Sequence, residues 1–252
     1  MLRTLTALLA LLTILPGCSR DAEQPRRLRF AIIPKAVGIP VFDYARTAAE
    51  RTAQKIGGIE VIWRGPETAD ELRQKEILES FIAQRVDGIA ISCLNGDLLT
   101  DAINRAVDSG IPVITWDSDA PKSQRIAFYG VNDFEGGRAL GDGLAKLIGE
   151  QGQVAIITAL GADNLQKRLD GARAALAQYP RIEIVETFDI KDDAVRVTEV
   201  IAAAAQRYPD LDGLLSVGGW PVFVRNALDP IDPARTKVVA FDTIPPAPEI
   251  LR

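Results

Sequence analysis

The chain has 252 residues and a formal net charge of −5, from 29 Lys and Arg against 34 Asp and Glu. Its basic residues are scattered rather than clustered, which argues against a nucleic-acid surface. The absence of histidine removes His-based triads, most zinc sites and the commonest general base. The two cysteines, Cys18 and Cys93, cannot build a disulfide framework when the first belongs to a processed end.

Arg3 is the only charge before Arg20, and residues 5–15 between them are apolar or threonine. That stretch is too short for a mature membrane-spanning helix, which needs about 20 residues. A positive end followed by a short apolar core predicts a secretory signal over residues 1–17. It closes on Leu15-Pro16-Gly17-Cys18, which resembles the lipobox of bacterial lipoproteins. The resemblance implies lipid attachment at Cys18, with Pro16 departing from the usual small residue. The plainer alternative is an ordinary signal peptide that contains a cysteine. Several acyl chains, at about 0.8 kcal/mol per buried methylene, would hold the protein on a membrane. Residues 18–27 are polar, contain Pro25, and read as a tether.

From Leu28 onward, apolar β-type runs alternate with segments of helical spacing. The runs cover 28–33, 59–63, 88–92, 112–116, 126–129, 153–158, 182–186, 213–217 and 237–241. Between them, Ala45, Ala48, Ala49, Thr52 and Ile56 make one helical face. Leu98, Leu99, Ala102, Ile103, Ala106 and Val107 make a second, and Leu165, Leu169, Ala172 and Leu176 a third. Strands without polar alternation, interleaved with helices, predict an α/β fold with parallel sheets covered on both faces. Cys93 ends an apolar run and reads as a buried, inert thiol.

The chain also echoes itself. Val86-Asp87-Gly88-Ile89-Ala90-Ile91 resembles Leu211-Asp212-Gly213-Leu214-Leu215-Ser216, and Pro112-Val113-Ile114-Thr115-Trp116-Asp117 resembles Lys237-Val238-Val239-Ala240-Phe241-Asp242. Two similar doubly wound lobes follow, over 28–131 and 132–252, joined near 130–133. In open parallel sheets, ligands bind beyond the carboxyl ends of the strands. Each half places an aromatic followed by aspartate there. A carboxylate accepts hydrogen bonds only, which suits a ligand rich in hydroxyls, and an aromatic face suits the C–H side of a sugar ring. Because neighbouring strand residues face opposite ways, Trp116 can be core while Asp117 faces the cleft. For both aspartates a helix cap or a loop contact is the plain alternative.

These motifs, with Ser109 to Pro121, Tyr129-Gly130-Val131-Asn132-Asp133 and Asn164-Leu165-Gln166-Lys167-Arg168-Leu169-Asp170-Gly171, resemble the ribose- and galactose-type periplasmic sugar-binding proteins. Lac-repressor-type regulators share the same lobes. The likeness runs from about Leu28 to the end of the chain. It implies two lobes, a hinge and a ligand cleft between them, with Asp117, Arg168 and Asp242 on the ligand. Phe42 stands where that family presents aromatics, Lys35 follows the first strand toward the cleft mouth, and Asn164 opens the arginine-bearing helix. Ser118 replaces a frequent arginine, and Gly218-Gly219-Trp220 replaces a frequent Asn-Asp, with Trp220 available for stacking. The sequence stops at Leu251-Arg252, short of the segment by which the family returns to its first lobe, so that either the sequence is a fragment or the first lobe is incomplete. The implied function is an extracytoplasmic, membrane-anchored solute-binding lipoprotein on the periplasmic or cell-surface side. It would deliver a monosaccharide or related polyol to the permease of an ABC-type importer, as a monomer without cofactor or metal. A ligand-sensing receptor and, less favoured, a glycosidase using Asp117 and Asp242 are the alternatives. A transcriptional regulator would need a helix-turn-helix where the signal segment stands.

Overall fold

The computed structural model describes residues 26–191 and 193–243. The expected signal segment, Cys18 and most of the expected tether lie outside the described residues. Arg26 is already fastened, its Nη2 donating to Asp87 Oδ1 at 2.8 Å.

The first half runs β1 (Leu28–Ile33), α1 (Pro40–Ile56), β2 (Ile59–Trp63), α2 (Glu71–Ala83), β3 (Gly88–Ile91), α3 (Gly96–Asp108), β4 (Val113–Trp116) and β5 (Ala127–Tyr129). Its strands form a five-stranded sheet in the order β2-β1-β3-β4-β5. The second half runs α4 (Asp133–Leu147), β6 (Gln151–Thr158), α5 (Asp163–Leu176), β7 (Arg181–Asp189), α6 (Ala194–Arg207), β8 (Gly213–Ser216), α7 (Trp220–Phe223) and β9 (Lys237–Ala240). Its strands form a four-stranded sheet in the order β7-β6-β8-β9. All pairings are parallel. The molecule is therefore two α/β lobes, and each of the nine expected strands is present with its ends moved by at most a few residues.

The echo in the sequence is an echo in register. Phe30 pairs with Gly88 and Ile89 with Val113; Val154 pairs with Gly213 and Leu214 with Val238. The residue before each glycine does the same work in both lobes. Asp87 accepts a hydrogen bond from the Arg29 backbone N–H at 2.8 Å, and Asp212 accepts one from that of Gln153 at 2.8 Å. An acidic side chain here ties the third strand's entry to the first strand and satisfies an otherwise open donor.

Each lobe has its own core, one around Ile33, Phe81, Ile91 and Ile103, the other around Leu144, Ile156, Leu169 and Ile201. The expected faces of α3 and α5 are the buried ones. The expected face of α1 is not: Ala48, Thr52 and Ile56 are exposed, while Phe42 and Ala53 are buried with Ala45 and Ala49 partly so. The large Phe42 ring sets the stripe, and the residues that follow at spacings of three or four share its face. The four-residue α7 was not anticipated; Pro221 stands in its first turn, where a missing N–H costs nothing.

The tightest helix pair is α4 against α5. A side chain at Gly137 would overlap the backbone carbonyl of Arg168, and one at Gly171 would overlap that of Phe134. Glycine at both places lets the backbones touch, and this sets Asp133 beside Arg168. Cys93 is fully buried, and burial raises its thiol pKa. Among the described residues no helix is long and apolar enough to cross a membrane. None of their His, Cys, Asp or Glu side chains group into a metal site.

Candidate functional site

The two aspartates that follow β4 and β9 share an unusual backbone. Asp117 has φ 58° and Asp242 φ 74°, a left-handed conformation that is uncommon outside glycine and tolerated best by Asn and Asp. Such residues cost on the order of 1–2 kcal/mol and collect at functional sites. The turn reverses the side-chain direction at the strand end. Trp116 packs back on Phe42, ring centroids 5.2 Å apart and edge to face, and on Trp63 at 6.1 Å. Asp117 turns into the gap between the lobes, its N–H held by the Tyr129 carbonyl at 3.0 Å.

Donors from both lobes converge on Asp117. Ser92 Oγ donates to Oδ2 at 2.7 Å, Asn164 Nδ2 to Oδ1 at 3.3 Å, and Lys35 Nζ lies 3.7 Å from Oδ2. Lys35 Nζ also donates to Asn164 Oδ1 at 2.9 Å. Lys35 and Asn164 are both buried. A buried ammonium with these partners from both lobes is held by, and holds, the approach of the two lobes.

On the other side stands Arg168, buried with its Nε donating to Asp133 Oδ1 at 2.7 Å and its Nη1 to the Val217 carbonyl at 3.3 Å. Its guanidinium carbon sits 3.6 Å from the centroid of the Phe241 ring, a cation–π arrangement that fixes the plane of the fork. Asp133 has a raised pKa because burial penalises its charge, with Arg168 opposing. Asp242 is raised for the same reason; Arg168 again opposes, and Asp117 adds repulsion. The Gly219 N–H donates to the Asp242 carboxylate.

Glycines shape this wall. A side chain at Gly218 would strike the Trp220 ring, and one at Gly219 would strike Phe223 and lie 2.7 Å from Asp242 Oδ2. The Gly-Gly pair therefore forms a shelf on which two aromatic rings and a carboxylate rest.

A chamber of about 60 Å³ lies among these groups. Lys35, Phe42, Asp117, Asn164, Arg168, Trp220 and Asp242 all line it, with Ile39, Gly219 and Phe223. Seven of the eight ligand residues expected from the sequence thus meet in one place. Ser118 does not. It is fully buried, its Oγ has no hydrogen-bond partner among the described residues, and its carbonyl accepts from the Cys93 N–H at 3.0 Å. The left-handed turn at Asp117 sends the next residue into the lobe. Sequence reasoning missed Ser92 and Asp133, and it took Phe241 only as the aromatic that precedes Asp242. Ser92 read as part of a strand and Asp133 as part of the crossing segment; the aromatic-Asp repeat could have marked Phe241 as a support for Arg168.

Fold and site together define a two-lobed α/β protein with a polar, charge-lined cleft between the lobes. A profile of the periplasmic binding protein domain matches residues 30–252, and the chain belongs to that family. A solved ABC-transporter solute-binding protein from Burkholderia graminis, in complex with D-arabinose, is 34% identical with a TM-score of 0.83. That alignment covers 90% of this chain and 80% of the other. The D-ribose/D-allose-binding protein of Pseudomonas aeruginosa is 25% identical over 92% of this chain and 76% of its own length. The xylose/arabinose-binding protein of Sulfolobus acidocaldarius is 24% identical over 62% of this chain, and the match spans only 40% of that relative. The fold is that of the sugar-binding solute-binding proteins of ABC transporters, and its relatives are binding proteins rather than enzymes.

Proposed function

We propose that this chain captures a small polar solute, a monosaccharide or related polyol, between its lobes and presents it to the permease of an ABC-type importer. The observation that carries this reading is the convergence of Asp117 and Lys35 from the first lobe with Asn164, Arg168 and Asp242 from the second around one chamber. Carboxylates accept from hydroxyls, while Lys, Asn and Arg donate to ring and hydroxyl oxygens. Phe42 and Trp220 supply apolar faces. The lobes would part about the crossing near residues 130–133 to admit ligand and close on it, since ligand contacts made to both lobes favour the closed form. Lys35 and Asn164, now bonded to each other across the cleft, would exchange that bond for bonds to the solute.

Membership of a periplasmic binding protein family supports a location on the periplasmic or cell-surface side. In this reading Cys18 carries the lipid, so the receptor works tethered to a membrane through residues 18–27. The protein acts as a monomer and needs no cofactor. Residues 28–131 and 132–252 serve as the two closing lobes.

One observation favours a second reading. A carboxyl with a raised pKa, Asp242, shares the cleft with Asp117, and glycosidases use such pairs. Against it, Asp117 is occupied by Ser92, Lys35 and Asn164, which leaves it poorly placed as a nucleophile.

A thermal-shift screen of pentoses, hexoses, sugar alcohols and sugar acids on the full chain tests the proposal. A ligand at a hundredfold excess over its Kd stabilises by about 2.7 kcal/mol. Stabilisation by one sugar and not its epimers supports capture; a flat response across the panel contradicts it. Release of free sugar from glycosides would favour the hydrolase instead.

A further inference from the structure

The cleft contains a second and larger space. A compartment of about 370 Å³ lies beside the chamber and shares Ile39, Trp220 and Phe223 with it. The chamber's 60 Å³ has room for only a few waters with the lobes as they stand, so a ring enters it only as the lobes part. The outer compartment lies within the roughly 300–1,000 Å³ range of small-molecule sites. It also spans both lobes: Gly38 and Glu67 belong to the first, Phe223 and Arg196 to the second.

We propose that this compartment is a second subsite, and that it takes a ring linked glycosidically to the sugar held by Asp117, Arg168 and Asp242. Its chemistry fits such an extension. Phe223 and Trp220 form an aromatic wall on the Gly218-Gly219 shelf, suited to the C–H face of a ring. Glu67 and Arg196 are among its lining residues, an acceptor and a donor suited to hydroxyls. Acidic Glu67 and Asp193 balance basic Lys191 and Arg196, so the wall favours a neutral group over a phosphate or a second acid. Small residues keep the space open. Gly38 has no side chain, and a Cβ there would meet only the Glu67 carbonyl, at 3.7 Å. The ligand class is then a disaccharide or a glycoside, with one ring inside and one outside the Ile39–Trp220–Phe223 partition.

This inference rests on the proposed sugar site, and the experiment separates the two. Calorimetry compares the best-binding monosaccharide with its p-nitrophenyl α- and β-glycosides, on the parent and on Gly38→Trp. One anomer of the glycoside is expected to bind up to about tenfold more tightly than the free sugar, through ring stacking. Gly38→Trp should weaken that glycoside by about tenfold or more and leave the monosaccharide within about twofold. Ala69→Leu, on the same wall, gives the same readout if Gly38→Trp does not fold. Weaker binding of both anomers than of the free sugar overturns the subsite and leaves the sugar site standing. So does a glycoside affinity that neither filling variant changes. No binding of sugar or glycoside overturns both.

Discussion

Each lobe holds a buried aspartate paired with an arginine, the first arginine partly exposed and the second buried, and the two pairs are built to different ends. In the first lobe Arg125 spends both sides of its fork on Asp119: Nε bonds Oδ1 and Nη2 bonds Oδ2, the latter at 2.6 Å. Thr115 Oγ1 donates to the same carboxylate at 2.5 Å and the Ala120 N–H at 2.8 Å. Burial pushes the Asp119 pKa up, but these donors outweigh it and hold the group below its ordinary value. In the second lobe Arg168 gives Asp133 only its Nε, and burial wins, so Asp133 has a raised pKa. A carboxylate surrounded by donors is a structural anchor. An arginine with part of its fork unspent, stacked on Phe241 and lining the cleft, is a group held ready for something else.

Breaking the structural pair should have the largest effect. Arg125→Ala leaves Asp119 buried with its charge partly uncompensated, and a loss of about 3 kcal/mol is expected; denaturant unfolding measures it. Arg168→Ala should cost somewhat less stability, about 2 kcal/mol, because Asp133 can take up a proton to relieve its isolation. Unlike Arg125→Ala, it should abolish sugar binding in the fraction that remains folded. Equal effects of the two variants on affinity would erase the distinction drawn between the pairs.

The two kinds of carboxyl also separate by pH. Asp119, lowered in the fold, contributes stability that is present above its unfolded pKa, about 4, and is lost as pH falls through its depressed folded value. Asp133 and Asp242, raised in the fold, do the opposite: their contribution is present below that unfolded pKa and lost as pH rises through their folded values. Asp119→Asn should therefore flatten the acid limb of the stability profile, and Asp242→Asn the limb just above pH 4, roughly. Ligand hydroxyls bond the ionised carboxylate, so sugar affinity should increase as pH rises through the raised Asp242 value, with proton release on binding. Affinity that is flat over that range would remove Asp242 from the ligand.

A smaller effect probes the shelf. Gly219→Ala crowds Phe223 and Asp242, and should lower affinity by about tenfold with little change in stability, if the rings and the carboxylate shift by tenths of an ångström. Affinity equal to the parent would mean that the shelf geometry is not needed for binding.

Much of this was legible in the sequence because the chain says it twice. The repeated Asp-Gly strand entries and aromatic-Asp strand exits gave both sheets and both cleft aspartates, and these depend on local backbone demands. On α1, alanines at several spacings permit more than one buried face, and only the Phe42 ring decides between them. Ser118 lies in the lobe rather than the cleft because the left-handed Asp117 before it breaks the simple alternation of side chains. Ser92 and Asp133 escaped notice because their roles come from partners far away in sequence, Asp117 and Arg168, which only the assembled lobes bring into contact. The lipid-anchor reading at Cys18 lies outside the described residues, and membrane release of Cys18→Ser is its test.

The central claim is that one ligand is held at once by both lobes, through the paired aspartates at the ends of β4 and β9. Calorimetric titration of the best sugar from the screen into the parent, Asp117→Ala and Asp242→Ala tests it most directly, with folding checked by circular dichroism. Each variant removes one polar partner from a desolvated site, a loss of roughly 1–3 kcal/mol, so affinity should fall about tenfold to hundredfold in both. Parent-like affinity in both variants would contradict a ligand site between these carboxylates.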